Sequence, residues 1–259
     1  MFTTRPVLSG TFGMVASTHW LASAAGMAVL EAGGAAADAA AAAGFVLHVV
    51  EPHLNGPGGD LPLLLTTADD PAPRVLCAQG PVPAGATIEH YRGLGLSHVP
   101  GTGPLAAVVP GAVGGWLALL RDHGRLPLAA VLGHAIGYAE AGHPVHPRVA
   151  GTIAASAGLF RSHWPTSAER WLPPPAPGAL LRQPALAATY RRLLSAAAAA
   201  GPDRVAQLEA AHRAWYGGFV AEAVDAFGRR EWMDDSGTPH AGVLTGDDLA
   251  GWAPAWEPA

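Results

Sequence analysis

The glycine-rich run Asn55–Asp60 (NGPGGD) has a composition suited to contact with a ligand. Gly56, Gly58 and Gly59 have no Cβ, so the backbone here can approach a ligand or another strand closely. Successive N–H groups in such a loop can form a nest that binds an anion. The same run is equally typical of a tight turn between a helix and a strand, so both interpretations remain open.

The histidines His143 and His146 are three residues apart, a spacing that metal sites also use. They flank Pro144, no carboxylate lies close to them in the sequence, and the chain contains no HExxH motif. We therefore interpret the pair as part of a surface loop and predict no metal site. His48 and His53 lie on either side of a predicted helix end, where a histidine commonly interacts with the helix dipole.

Gly101, Gly103 and Ala106 match the GxGxxA pattern of dinucleotide-binding sites. Such a pattern should follow a strand directly and open a helix, with an acidic residue about 20 positions later. Here Pro104 follows the second glycine, and the next run, Leu105–Val109, is predicted to be a strand. Because this order of elements is wrong, we predict no nucleotide site.

Two apolar runs after the glycine-rich segment predict a β-hairpin, with strands at Leu61–Thr67 and Arg74–Ala78. The turn between them is predicted at Asp69–Pro73. Cys77 is the one cysteine of the chain, which excludes an internal disulfide framework and any site with several cysteine ligands. Because it lies in the second strand, we interpret it as a core residue and not as a nucleophile.

Apolar residues recur at helical spacing through much of the chain. A buried strand is predicted at Met14–Ser17, and Ser17 and Thr18 are expected to cap the first helix, which ends at Gly33-Gly34. An alanine-rich second helix is expected to pack tightly against the first. This second helix is predicted at Ala36–Val50. The later predicted helices are Gly111–His123, Leu128–Ala141, Gln183–Ala200, Asp203–Ala214 and Phe219–Phe227. Together with the hairpin, they indicate an α/β (α+β), helix-rich fold.

The chain has 259 residues, of which 50% are hydrophobic, and a formal net charge of −5. That apolar fraction excludes a disordered chain and supports a sizeable core. The slight negative charge argues against a nucleic-acid partner. Met1–Met14 lacks the apolar segment of an export signal, and Asp38 and His48 interrupt the apolar run Ala35–Val50. We therefore predict no membrane partner and expect a cytoplasmic location.

Six segments occur in an order that resembles the gamma-glutamyltransferase (glutathione hydrolase) family. They are MVASTHWLASAAGMAVLEAGGAAADAAAAA (Met14–Ala43), VVEPHLNGPGGDLPLLL (Val49–Leu65), GPLAAVVPGAVGGWLALLRDHGRLPLAAVLGHAIGYAEAGHPV (Gly103–Val145), LLRQPALAATYRRL (Leu180–Leu193), AWYGGFVAEAV (Ala214–Val224) and GVLTGDDLAGW (Gly242–Trp252). The resemblance extends from about Met14 to the last residue.

The resemblance implies an N-terminal-nucleophile hydrolase, of whose four-layer αββα sandwich this chain would form part. In that family a precursor cleaves itself before a threonine, and the freed hydroxyl attacks a gamma-glutamyl amide with its own α-amine as the base. The nucleophile and the oxyanion hole lie in a C-terminal small subunit, and no cofactor is expected. The implied partners are this small subunit and a small-molecule amide or peptide substrate.

The Thr-Thr-His-x-Ser pattern of the family's processing site does not occur in this sequence, since Thr3-Thr4 is followed by Arg5-Pro6. We therefore expect the nucleophilic threonine beyond residue 259, no catalytic residue within the chain, and no activity from the chain alone. Residues 1–259 are predicted to form a single incomplete domain, the N-terminal part of a large subunit. Residues 1–13 would be an extended lead-in. The alternative is a non-catalytic, truncated module that binds a partner.

The family's large subunit has an arginine, on a strand after the glycine loop, that binds the glutamyl α-carboxylate with two hydrogen bonds. Aligning Arg74–Thr87 with that stretch places Gln79 at the arginine and Gly80 at its acidic neighbour. A neutral amide lacks the charge and the fork of a guanidinium. Losing such a charge-assisted pair costs about 1.5–3 kcal/mol. The predicted substrate-binding residues are Gln79, Gly58, Gly59 and Asp60.

The leading hypothesis is the N-terminal portion of an amidohydrolase that cleaves or transfers gamma-glutamyl amides. Relatives that lack the arginine include cephalosporin-acylase-like amidases, and such an amidase is the alternative within the family. Arg74 and Arg92 are close to Gln79 in the sequence, but no pattern places either of them in the pocket.

Overall fold

The computed structural model describes residues 7–259. Residues 7–13 of the predicted extended lead-in belong to no helix or strand, and residues 1–6 of it lie outside the described residues.

Helices dominate the described part of the chain. They are α1 (Trp20–Glu31), α2 (Ala36–Val50), α3 (Ile88–Gly93), α4 (Ala112–His123), α5 (Leu128–Ala141), α6 (Pro147–His163), α7 (Pro165–Trp171), α8 (Pro184–Ala198), α9 (Arg204–Tyr216), α10 (Phe219–Gly228) and α11 (Gly246–Ala250). A short 3₁₀ helix covers Pro104–Ala106. Within residues 7–259, no helix combines the length and the apolar composition that crossing a membrane requires.

The strands are short and all of their pairings are antiparallel. They are β1 (Leu61–Leu65), β2 (Arg74–Ala78), β3 (His143–Pro144), β4 (Leu180–Leu181), β5 (Trp232–Met233), β6 (Pro239–His240) and β7 (Ala255–Pro258). The main sheet has the order β1-β2-β7, and β3-β4 and β5-β6 form separate pairs. The predicted helix-rich α/β class is therefore confirmed.

The helix α2 lies in the centre of the main core. Its side chains Phe45, Val46 and Val49 are fully buried, within one cluster that also includes residues of α1, α4, α5, α8 and α9. A Cβ added to Gly26 of α1 would lie 3.0 Å from the carbonyl oxygen of Ala39 in α2. The predicted tight packing of the first two helices is confirmed, because only small residues allow backbones to approach this closely.

The main sheet packs one of its faces against α4. Leu76 of β2 is buried with Ala118 and Leu119 of α4. Because side chains alternate along a strand, Cys77 points to the opposite face and is half-buried. The prediction that Cys77 is a core residue is therefore wrong.

Several predicted bounds agree with the structure. The bounds of α2, α5 and β2 are those predicted, and α8, α9 and α10 begin and end within two residues of the prediction. The predicted strand at Met14–Ser17 is absent, since no described strand pairs with it. The predicted cap is also wrong, because His19 caps α1 by accepting a hydrogen bond of 3.2 Å at Nδ1 from the N–H of Leu21.

Two further predictions are corrected between α3 and α6. The predicted strand Leu105–Val109 is wrong, because Pro104 begins a 3₁₀ turn, for which its fixed φ is suited. The predicted surface loop is wrong for His143, which lies in β3 and is only 1% exposed. His146 is exposed and caps α6, a helix that starts with Pro147 at its first position.

Candidate functional site

The predicted substrate-binding residues meet at one end of the β1-β2 hairpin. Leu61 of β1 pairs with Ala78 of β2, and this is the last pair of the ladder. Asp60 precedes Leu61 and Gln79 follows Ala78, so the two residues leave neighbouring strands at the same end. Both are exposed to solvent. The hairpin end therefore presents a carboxylate beside a neutral amide.

The glycine-rich loop joins α2 to this hairpin through a tight turn. The N–H of Gly59 donates a hydrogen bond of 3.0 Å to the carbonyl oxygen of Gly56. None of Gly56, Gly58 and Gly59 has a positive φ, and a Cβ on Gly58 would meet open space. Gly56 and Gly58 are therefore not required by close backbone approach, whereas a Cβ on Gly59 would lie 3.3 Å from the carbonyl oxygen of Gly56. Gly58 is exposed next to Asp60.

The start of α4 is bound to the glycine-rich loop. The carbonyl oxygen of Gly59 accepts hydrogen bonds from the N–H groups of Gly111, at 2.9 Å, and Ala112, at 2.8 Å. These donors belong to the first turn of the helix, where N–H groups have no partner within the helix. The loop thus supplies the acceptor that the helix start requires.

The close backbone approaches occur at two other glycines, Gly80 and Gly111. A Cβ on Gly80 would lie 1.7 Å from the carbonyl oxygen of Val109, and one on Gly111 would lie 1.9 Å from that of Ala78. No side chain fits at such distances. The turn before α4 is therefore wedged between the loop at Gly59 and the end of β2. No short-range pattern could have identified this pair.

Neither Arg74 nor Arg92 provides the positive charge that Gln79 lacks. Arg74 lies at the far end of β2, about 16 Å along the strand at 3.3 Å per residue. Its guanidinium stacks on the ring of Trp256, 4.9 Å from the ring centroid. Arg92 lies in α3, and among the described contacts none links it to Gln79. Among the described contacts, neither Arg74 nor Arg92 brings a guanidinium to Gln79.

A second polar cluster lies where α2 passes into the glycine-rich loop. Glu51 is buried at the end of α2, and its carboxylate accepts a hydrogen bond from the hydroxyl of Thr18. Burial lowers the pKa of His19 and of His53, and the nearby Glu51 carboxylate opposes both shifts. Among residues 7–259, no group of three or more His, Cys, Asp or Glu side chains could hold a metal ion. A lowered pKa favours the neutral form of both imidazoles, which lie near the Glu51 side chain.

Comparisons with known proteins place this architecture in a family. The sequence profile described as Gamma-glutamyltranspeptidase matches residues 22–259. The oxamate amidohydrolase proenzyme of Klebsiella pneumoniae subsp. pneumoniae is 43% identical over 195 residues, which cover 71% of this chain and 36% of that protein.

Solved structures agree with this match over the whole fold. The structure of LmbA2991HD has a TM-score of 0.95 at 59% identity, covering 99% of this chain and 44% of that one. The cephalosporin acylase from Bacillus halodurans has a TM-score of 0.80 at 31% identity, covering 99% of this chain and 45% of that one. This chain thus spans less than half the length of each of these three proteins.

The helices and small sheets match the N-terminal-nucleophile hydrolase fold, which confirms the predicted fold class. Members of the matched family are hydrolases and transferases, and the Klebsiella relative is a proenzyme. The profile, the relatives and the fold lead to one conclusion: this chain belongs to the gamma-glutamyltranspeptidase family.

Proposed function

We propose that this chain provides the acyl-binding part of an amidohydrolase whose preferred acyl group is not gamma-glutamyl. The observation that carries the proposal is that Asp60 and Gln79 leave neighbouring strands at the same end of the β1-β2 hairpin, where both are exposed. A gamma-glutamyl group ends in an α-carboxylate, which a guanidinium would bind through two charge-assisted hydrogen bonds. Gln79 donates at most a neutral hydrogen bond, and the Asp60 carboxylate repels a second carboxylate.

The relatives support an amide substrate without fixing its acyl group. The Klebsiella protein is named for oxamate and the Bacillus protein for cephalosporin, and neither name specifies a gamma-glutamyl group. Both names describe hydrolysis or acyl chemistry at an amide. A small-molecule amide is therefore the substrate class that we assign to this chain.

In this proposal the bond-breaking groups are supplied by a C-terminal small subunit produced by autoprocessing. Its N-terminal threonine hydroxyl attacks the amide carbonyl, the α-amine accepts the hydroxyl proton and then protonates the leaving amine, and water resolves the acyl-enzyme. The chain described here binds and orients the acyl group at Asp60, Gln79 and the glycine-rich loop. No step in this scheme needs a cofactor.

A second candidate is cleavage or transfer of gamma-glutamyl amides, which the family resemblance predicts. One observation favours it, because the Asp60 carboxylate can pair with the α-ammonium group of a glutamyl substrate. In that case the carboxylate of the substrate would rely on Gln79 alone. The non-catalytic binding module remains the third possibility and would show no amidase activity.

Three p-nitroanilides that differ by one group each separate these candidates. Gamma-glutamyl and glutaryl anilides differ only in the α-amino group, and glutaryl and pentanoyl anilides differ only in the terminal carboxylate. With the processed, full-length enzyme, we expect the best kcat/KM for one of the two acyl groups without the amino group. A best substrate with the gamma-glutamyl group contradicts the proposal, and no cleavage of any anilide supports the non-catalytic module. Residues 1–259 alone are the control and should be inactive.

A further inference from the structure

Tyr216, the last residue of α9, contacts the turn that holds the candidate site. Its side chain is 2% exposed. The hydroxyl donates a hydrogen bond of 2.7 Å to the carbonyl oxygen of Pro110 and accepts one of 3.0 Å from the N–H of Gly114. A single buried hydroxyl thus satisfies two backbone groups on either side of the start of α4. Burial raises the pKa of this phenol, so it stays protonated and able to donate.

The two backbone groups that Tyr216 binds could form a hydrogen bond with each other. The N–H of Gly114 and the carbonyl of Pro110 are four residues apart, the spacing of an α-helical hydrogen bond. The Tyr216 hydroxyl bridges them, since it donates to the Pro110 carbonyl and accepts from the Gly114 N–H. Without that hydroxyl, the two groups would pair directly, and the first turn of α4 would tighten.

Such a tightening would act on the candidate site. Gly111 and Ala112 lie between the two groups that Tyr216 bonds, and their N–H groups hold the carbonyl of Gly59. On its other side, Gly111 is in close contact with the carbonyl of Ala78, the residue before Gln79. A shift of this turn would therefore move the glycine-rich loop and the end of β2 together.

We propose that Tyr216 is a positioning residue for the acyl-binding site. It sets the spacing of the Pro110–Gly114 turn, and the turn sets the relative positions of the loop at Gly59 and the strand end at Gln79. The effect of Tyr216 on substrate binding rests on the proposed function. Its effect on the backbone does not depend on any activity. Replacement by phenylalanine keeps the ring and removes only the hydroxyl.

Tyr190 provides a matched control. It lies in α8 and is fully buried, and its hydroxyl forms a hydrogen bond of 3.2 Å with Nδ1 of His48. Tyr190→Phe therefore removes one buried hydroxyl, as Tyr216→Phe does, although the Tyr190 hydroxyl forms one described hydrogen bond and the Tyr216 hydroxyl forms two. The difference is that the described hydrogen bonds of Tyr190 do not involve the turn before α4. A general loss of stability should be common to both variants.

The first measurement is hydrogen–deuterium exchange, read by mass spectrometry on full-length wild type, Y216F and Y190F. We expect the exchange rates of peptides covering residues 55–60 and 109–115 to change in Y216F, because the turn shifts relative to the loop, with Y190F resembling wild type there. Equal exchange of these peptides in the two variants, or no change in either, would overturn the inference. This readout remains decisive even if no amide substrate is cleaved.

The second measurement is steady-state kinetics with the best of the three anilides. Misplacement of the acyl site after loss of the Tyr216 hydroxyl should raise KM roughly 3- to 10-fold in Y216F, with kcat changing less. The KM of Y190F should stay within twofold of wild type. A KM of Y216F equal to that of Y190F would contradict the positioning role. Absence of activity in wild type would instead refute the proposed function and leave the exchange result to decide on Tyr216.

Discussion

The N–H of Gly111 donates a hydrogen bond of 2.9 Å to the carbonyl oxygen of Gly59. This bond joins the first turn of α4 to the loop that precedes β1, two segments far apart in the sequence. The same Gly111 touches the end of β2, so one residue connects both sides of the candidate site. We expect substitutions in and around this site to change the free energy of unfolding and the catalytic activity.

Replacing Gly111 by alanine should be strongly destabilising. The added Cβ would lie 1.9 Å from the carbonyl oxygen of Ala78, a backbone atom that cannot rotate away. We expect the free energy of unfolding to fall by about 3 kcal/mol, the upper part of the range for overpacking. Gly137→Ala in α5 is the matched control, because a Cβ there meets open space. It should raise the free energy of unfolding by about 1 kcal/mol through helix propensity. Urea denaturation of both variants checks this, and equal stabilities would refute the wedge at Gly111.

Asp38 should be essential for the connection between α4 and α5. Its side chain is fully buried in the first turn of α2. The carboxylate accepts hydrogen bonds from the N–H groups of Ala35, at 2.8 Å, and Arg125, at 2.9 Å. Asp38→Asn directs an amide N–H₂ at these donors, so we expect a loss of about 2–4 kcal/mol in urea denaturation.

Asp203→Asn is the control for this change. Asp203 is exposed and caps α9 through the N–H of Ala206, and asparagine caps a helix about as well as aspartate. Its cost should stay below about 0.5 kcal/mol. If both variants lost a similar amount of unfolding free energy, the prediction that the buried Asp38 carboxylate is essential would be contradicted.

Stability should fall as the pH is lowered from 6.5 towards 4. Burial lowers the pKa of His48 to about 4, and burial together with the nearby His19 lowers that of His143 to about 4. The unfolded chain binds protons on these groups from about pH 6.5 downwards, whereas the folded chain does not, so folding is penalised in this window. For His48 the penalty at pH 5 is about 2 kcal/mol relative to pH 7.5.

Urea denaturation at the two pH values measures this loss. His48→Gln should lose less stability than wild type between pH 7.5 and 5, because glutamine does not titrate. The control is His163→Gln, which replaces an exposed histidine at the end of α6. If the free energy of unfolding of His48→Gln depended on pH as that of wild type does, the assignment of the loss to the lowered pKa of His48 would be contradicted.

Local patterns were enough to predict much of this fold. Proline and glycine residues marked the ends of α2, α5 and β2, and two apolar runs identified the hairpin that places Asp60 and Gln79 at the same end. The short strand β7 and the helix α6 were not predicted. The first depends on pairing with β2, and the second starts at Pro147, directly after the predicted surface loop at His143 and His146.

Sequence patterns did not predict the contacts that hold the candidate site in place. The contacts of Gly59 with Gly111, and of Tyr216 with Pro110, join residues from distant parts of the chain. Glycines in the conspicuous run Asn55–Asp60 suggested close approach, yet that approach occurs at Gly80 and Gly111. A glycine that a backbone contact requires looks the same in the sequence as one in an open turn.

The central claim, that Gln79 sets the acyl preference, is tested most directly by Gln79→Arg in the processed, full-length enzyme. The measured quantity is the ratio of kcat/KM for the glutaryl anilide to that for the pentanoyl anilide, which isolates the terminal carboxylate. A guanidinium at this hairpin end should raise the ratio about tenfold or more, since a charge-assisted pair contributes about 1.5–3 kcal/mol. Gln79→Ala is the control for loss of the amide and should not raise the ratio. A ratio that stays at the wild-type value in Gln79→Arg would contradict the account.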